Sequence, residues 1–146
     1  MTSSQVWADV IEGTEGDDFI VGTPGDDLID SKGGNDDNHG DSIFDDGFGD
    51  DVILSEEGDD FNHGDTTFGD GFGDDVINSG EGDDTNTGDT IFGSGSGDDI
   101  IVSGEGDDSN GAGEGRDIFT CGEGEDTVLG FNAAEGDIAT PDCENV

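Results

Sequence analysis

The triplet Gly-Asp-Asp recurs along this chain at fixed intervals, and that recurrence limits the fold more than any other feature. It begins at Gly16, Gly25, Gly49, Gly58, Gly73, Gly82, Gly97 and Gly106, with variants at Gly34, Gly115 and Gly124. Successive steps from Gly16 are 9, 9, 15, 9, 15, 9, 15, 9, 9 and 9 residues. The middle of the chain is therefore a 24-residue unit, flanked by plain nine-residue units. The units 25–48, 49–72 and 73–96 align along their whole length. A fixed period of this size marks a solenoid, in which each repeat buries its apolar face only against its neighbours.

Between the turns lie short runs of β-branched and aromatic residues, which read as strands and not helices. An apolar residue follows the first Asp pair of each unit at Ile29, Ile53, Ile77 and Ile101. The equivalent place after the second pair holds Asn38, Asn62, Asn86 and Asn110. A third segment ends in Phe44, Phe68 and Phe92. Stacking successive units about 4.8 Å apart pairs the strands and aligns identical side chains. The expected fold class is all-β: a parallel β-solenoid with 24-residue coils, its core made of Ile and Phe columns. The Asn residues are expected to form an amide ladder along the axis. A two-sided coil and a wider coil with a third short side both fit this pattern.

Charge narrows what can hold such a stack together. The 146 residues carry 41 acidic and 2 basic side chains, a formal net charge of −39. Two carboxylates about 4 Å apart repel by roughly 1 kcal/mol in water and several times more where the dielectric falls. Repeated over dozens of pairs, that exceeds the ~5–15 kcal/mol that stabilises an ordinary domain. The fold needs a counter-cation, and the field excludes nucleic acid as a partner. No apolar run of about 20 residues is present, so no membrane insertion is expected. Turn carbonyls and carboxylates are hard oxygen donors of the kind Ca²⁺ collects in sets of six to eight, whereas Mg²⁺ keeps its waters and an octahedral shell. Several Ca²⁺ ions are therefore the expected cofactor.

The second Asp of each turn directly precedes a strand and is the expected inward ligand: Asp18, Asp27, Asp36, Asp51, Asp60, Asp75, Asp84, Asp99, Asp108, Asp117 and Asp126. The first Asp reads as a solvated turn residue. The long half of each unit adds Asp41, Asp65 and Asp89 in register, an expected third line of sites.

These residues resemble the repeats-in-toxin (RTX) family of calcium-binding nonapeptides, Gly-Gly-x-Gly-x-Asp-x-apolar-x. The best matches are Ser103-Gly104-Glu105-Gly106-Asp107-Asp108 and the segment from Cys121 to Val128 (CGEGEDTV). The resemblance covers roughly residues 13–130. It implies a parallel β-roll with Ca²⁺ held in the turns, and a secreted protein that is disordered without calcium and folds outside the cell. The chain departs from that pattern in three ways. Ser often replaces the first glycine, Asn replaces the apolar residue in alternate turns, and the 24-residue unit is longer than the family's 18-residue coil.

Residues 1–12 are expected to cap or dock one end through Val6, Trp7, Val10 and Ile11, residues 13–130 to form the solenoid, and residues 131–146 to abandon the repeat and cap the other end. Cys121 and Cys143, the only cysteines, are expected to tie that cap by a disulfide, which places the chain in an oxidising compartment. Met1 to Ile11 lacks the basic region and long apolar stretch of a signal peptide. His39 and His63, 24 residues apart, are expected to point outward from their strands. No Ser/His/Asp or Cys/His constellation stands out, so no enzymatic activity is expected. The expected role is an extracellular calcium-dependent structural module. The alternative is a filament subunit that self-associates through its solenoid ends. Ice binding is disfavoured because the flat row Thr85-Asn86-Thr87 occurs in one unit only.

Overall fold

A computed structural model describes residues 9–146. Val6 and Trp7 of the expected N-terminal cap lie outside these residues. The strands are β1 (Val10–Glu12), β2 (Phe19–Val21), β3 (Leu28–Asp30), β4 (Asp37–His39), β5 (Val52–Glu57), β6 (Phe61–His63), β7 (Val76–Glu81), β8 (Thr85–Thr87), β9 (Ile100–Glu105), β10 (Ser109–Gly111), β11 (Ile118–Glu123), β12 (Thr127–Leu129) and β13 (Ile138–Ala139). Odd strands form one parallel sheet, in the order β1-β3-β5-β7-β9-β11-β13, and even strands form the other, from β2 to β12. The register follows the repeat: Ile29 pairs with Ile53, Ile53 with Ile77 and Ile77 with Ile101. Among the described residues no helix is long and apolar enough to cross a membrane.

Most strands are three residues long, and period-2 alternation then turns one side chain inward per pass. The odd sheet contributes Ile29, Ile53, Ile77, Ile101 and Phe119 to the interior, all buried. The even sheet contributes Ile20, then the four Asn residues, then Val128. The Asn ladder forms as expected: the Nδ2 groups of Asn38, Asn62 and Asn86 donate to the Oδ1 atoms of Asn62, Asn86 and Asn110 at 3.0, 3.1 and 3.0 Å. A serine column that the sequence reading missed completes it. The hydroxyls of Ser55, Ser79 and Ser103 donate to Asn62, Asn86 and Asn110 at 2.7–2.9 Å, across the narrow interior. Cys121 takes the next place in that column and is fully buried.

The Phe columns are not core. Phe44 and Phe92 are among the most exposed apolar residues of the molecule. The six extra residues of each long half leave the coil as a loop that returns to the next turn, joined to its neighbours by the bridges Gly47–Gly71 and Gly71–Gly95 and by bonds such as Phe68 N–H to the Ile43 carbonyl and Phe92 N–H to the Thr67 carbonyl. On these loops Phe44, Phe68 and Phe92 stack ring on ring at centroid separations of 5.4 and 5.2 Å, and Phe48 stacks on Phe72 at 5.8 Å. The coil is two-sided with an appended loop. Each short strand offers one inward position, and Ile or Asn fills it in the looped coils, so the rings stack outside the sheets.

At the C-terminus Cys121 and Cys143 form the expected disulfide. The nine-residue spacing ends at Gly124, yet the tail stays in the stack. Ile138 pairs with Ile118 and Ala139 with Phe119, so β13 adds one more rung to the odd sheet.

Candidate metal centre

The turns run in two stacks, one along each edge of the solenoid. The edge that carries the loops, preceding the odd strands, is called the long edge here; the other is the short edge. On the long edge the backbone N–H groups of Asp9, Asp27, Asp51, Asp75, Asp99 and Asp117 donate in turn to Oδ1 of Asp27, Asp51, Asp75, Asp99, Asp117 and Asp137, at 2.7–3.2 Å. On the short edge the same chain runs from Asp18 through Asp36, Asp60, Asp84 and Asp108 to Asp126, whose N–H donates to Glu144 Oε2 at 3.1 Å. From Asp27 on the long edge and Asp36 on the short edge, each carboxylate is thus pinned by one oxygen to the coil before it. Asp137 and Glu144 extend both ladders into the tail. The sequence reading missed them, although Gly136-Asp137-Ile138 keeps the Gly-Asp-apolar order.

The second oxygen separates the terminal coils from the central ones. Asp18 Oδ2 accepts from the Thr14 N–H at 2.6 Å, Asp27 Oδ2 from the Thr23 hydroxyl at 3.0 Å, and Asp137 Oδ2 from the Asn132 N–H at 2.6 Å. The Oδ2 atoms of Asp36, Asp51, Asp60, Asp75, Asp84, Asp99, Asp108 and Asp126 are buried and have no hydrogen-bond partner. So are oxygens of Asp41, Asp65 and Asp89. A buried, unpaired carboxylate oxygen is among the costliest groups a fold can hold. Local geometry keeps space beside these oxygens: a Cβ added at Gly40, Gly64 or Gly88 would overlap Oδ2 of Asp51, Asp75 or Asp99.

Electrostatics reports the same strain. Burial, then repulsion from Asp65, pushes the Asp75 carboxyl up to about 10. Burial drives Asp51 and Asp89 to about 8 and Asp99 to about 7. On the short edge burial raises Asp60 and Asp108 to about 6 and Asp84 to about 7. Asp117, on the long edge beyond the last loop, reaches about 6, again chiefly through burial. Burial also raises Asp41, Asp65 and Asp126. The column Asp41, Asp65 and Asp89 lies beside the long-edge ladder. The loop folds it against the long-edge ladder, where Asp41 repels Asp51, Asp65 repels Asp75 and Asp99 repels Asp89. The first Asp of each turn is exposed, as expected, and forms an outer ladder of opposite sense: the N–H groups of Asp74 and Asp98 donate back to Oδ1 of Asp50 and Asp74.

The donor set is hard oxygen, stacked in register, buried and unpaired, and it fits Ca²⁺. A family model described as the RTX calcium-binding nonapeptide repeat matches four copies, at residues 8–37, 40–69, 64–90 and 86–109. The chain belongs to the RTX calcium-binding repeat family. It is a calcium-binding repeat protein. No curated protein and no solved structure matches it. The RTX match stops at residue 109, whereas the ladders continue to Asp137 and Glu144.

His39 and His63 stand on the faces of β4 and β6 that turn away from the Asn column, as expected, yet solvent does not reach them. Both are buried, at 5% and 4% exposure, and their rings stack at a centroid distance of 4.8 Å. Burial lowers the His39 pKa and takes His63 to about 4.

Proposed function

We propose that this chain is an exported structural module whose folding is driven by Ca²⁺ bound along both edges of the solenoid. The ligands on this reading are the second Asp residues of the central turns: Asp36, Asp51, Asp60, Asp75, Asp84, Asp99, Asp108, Asp117 and Asp126. Asp41, Asp65 and Asp89 add oxygens on the long edge. The row of buried, unpaired Oδ2 atoms carries this reading. Bound Ca²⁺ supplies the positive charge that turns each self-repelling column into a bridged one. Asp18 and Asp27, whose second oxygens are satisfied by Thr14 and Thr23, act as end turns and not as principal ligands.

The disulfide between Cys121 and Cys143 fits an oxidising, extracellular setting. A chain held open by its own charge in the cell and closed by external calcium matches that location. The role is structural on this reading, because the carboxylates of the turns lie in repeating columns along both edges. Calcium titration followed by far-UV circular dichroism tests the reading. A cooperative gain of β-sheet signal, reversed by chelator, is expected. An unchanged sheet spectrum in excess chelator would sink it.

A further inference from the structure

We propose that Asp37, His39 and His63 form a second kind of metal site, which takes a borderline divalent cation of the Zn²⁺ class and clamps two successive coils. The pairing of β4 with β6 sets His39 directly beside His63. Asp37 lies two residues before His39, on the same outward face of β4, with its Oδ1 3.0 Å from His39 Nε2. One donor atom from each of the three residues lies within 4.8 Å of the others. A metal about 2.0–2.1 Å from an imidazole nitrogen and a carboxylate oxygen that are 3.0 Å apart sees them at roughly a right angle, which a few tenths of an ångström of separation would open to the tetrahedral angle.

The surroundings suit a metal ligand. The Thr67 hydroxyl lies 3.4 Å from His39 Nδ1, on the ring nitrogen that Asp37 does not contact, where it orients the ring. Phe19 covers His39 with ring centroids 5.7 Å apart. The Asp37 side chain is 47% exposed and leaves a route for an ion to enter. Packing alone gives no account of the pair. His63 Nδ1 is buried without a partner, and the next coil fills the same register with Thr87. Two imidazoles and a carboxylate favour Zn²⁺, Co²⁺ or Ni²⁺ over Ca²⁺, which selects oxygen. The site is therefore chemically separate from the calcium columns and does not depend on which Asp residues hold calcium.

Co²⁺ serves as the probe, added to the full chain folded in saturating calcium. One equivalent should bind with the visible absorption of a nitrogen-ligated ion and be displaced by Zn²⁺. The variants His39→Thr and His63→Thr place in these coils the residue that Thr87 already occupies in the next one, so circular dichroism in calcium should match the parent. Each should weaken Co²⁺ binding by at least about tenfold. Asp37→Asn, which keeps both rings, should weaken it by a similar factor. Zn²⁺ should raise the thermal midpoint of the parent and leave that of the histidine variants unchanged. No Co²⁺ uptake by the calcium-loaded parent would overturn the proposal, as would equal uptake by the parent and the double His→Thr variant. Loss of calcium-dependent folding would show in the dichroism of the same samples and is a separate outcome.

Discussion

On the short edge of the solenoid each central turn buries one carboxylate; on the long edge the loop brings a second beside it. The ladders that pin these groups are the same, with Asp N–H groups donating to Oδ1 at 2.8–2.9 Å around both Asp75 and Asp84. The electrostatic load is not. Burial raises both, to about 10 at Asp75 and about 7 at Asp84, and at Asp75 repulsion from its loop neighbour Asp65 adds to it. Backbone geometry therefore sets where the carboxylates sit, while the loop sets how strongly each edge requires a cation.

The largest effect should come from removing calcium altogether. At neutral pH, chelation should abolish the far-UV β-sheet signal; retention of most of it would show that neither edge needs the ion. Next comes pH in chelator, where the sign follows from carboxylates raised above their ordinary 3.8. The folded state holds these protons more tightly than the unfolded chain. Their contribution to stability is thus fully present below that ordinary value and is lost as pH rises, through about 6 at Asp60 and Asp108 and up to about 10 at Asp75. Acidification without calcium should accordingly restore sheet, and hydrogen exchange should show the long edge protected at higher pH than the short edge. Simultaneous protection of both edges would erase the distinction between them.

Single substitutions sharpen the comparison further. Asp75→Asn should weaken calcium binding about tenfold more than Asp84→Asn, a difference of about 1.4 kcal/mol in calorimetry. In chelator the order should reverse, with Asp75→Asn the less unstable of the two, because it removes the more strained charge. Between the edges, Asn62→Ala breaks the amide ladder: Ser55 loses its acceptor, and Asn38 Nδ2 and Asn86 Oδ1 each lose one of two partners. A loss of about 1–3 kcal/mol in denaturant unfolding with calcium present is expected. The smallest effect belongs to the short edge. Glu56 adopts φ 76° where later coils place Gly80 and Gly104, so Glu56→Gly should stabilise by about 1 kcal/mol.

Much of this architecture was legible in the repeat. Gly-Asp spacing reported the turns, and the alternation of Ile29 with Asn38 reported one inward residue per strand. The second Asp was assigned inward because it abuts a strand, and burial follows that rule from Asp27 to Asp126. What stayed hidden depends on contacts between segments. Phe44, Phe68 and Phe92 share a register, and register alone does not distinguish a core column from a surface stack. His39 and His63 stand at positions facing away from the core, but Thr67 on the following loop comes within 3.4 Å of His39, and no local pattern announces that approach. The serine column was visible as a period yet unreadable as a partner of Asn, since the two meet only across the interior. Asp41, Asp65 and Asp89 were in register as expected, but the path of the loop back to its own edge decided which carboxylates they would face.

The loops also bear on how so repetitive a chain finds a single threading. Coils with the same sequence invite slippage, in which one strand pairs a whole repeat away from its native neighbour and still buries an Ile against an Ile. Here the coils differ in length: loops occupy the three central units, and nine-residue spacing returns at either end. A slip by one unit would leave a loop beside a coil that has none and would forfeit a Phe–Phe stack. At the C-terminal end it would also carry Cys121 away from Cys143. The surface loops and the terminal bridge thus act as counting marks, which fix the number and order of coils that the uniform interior would leave open.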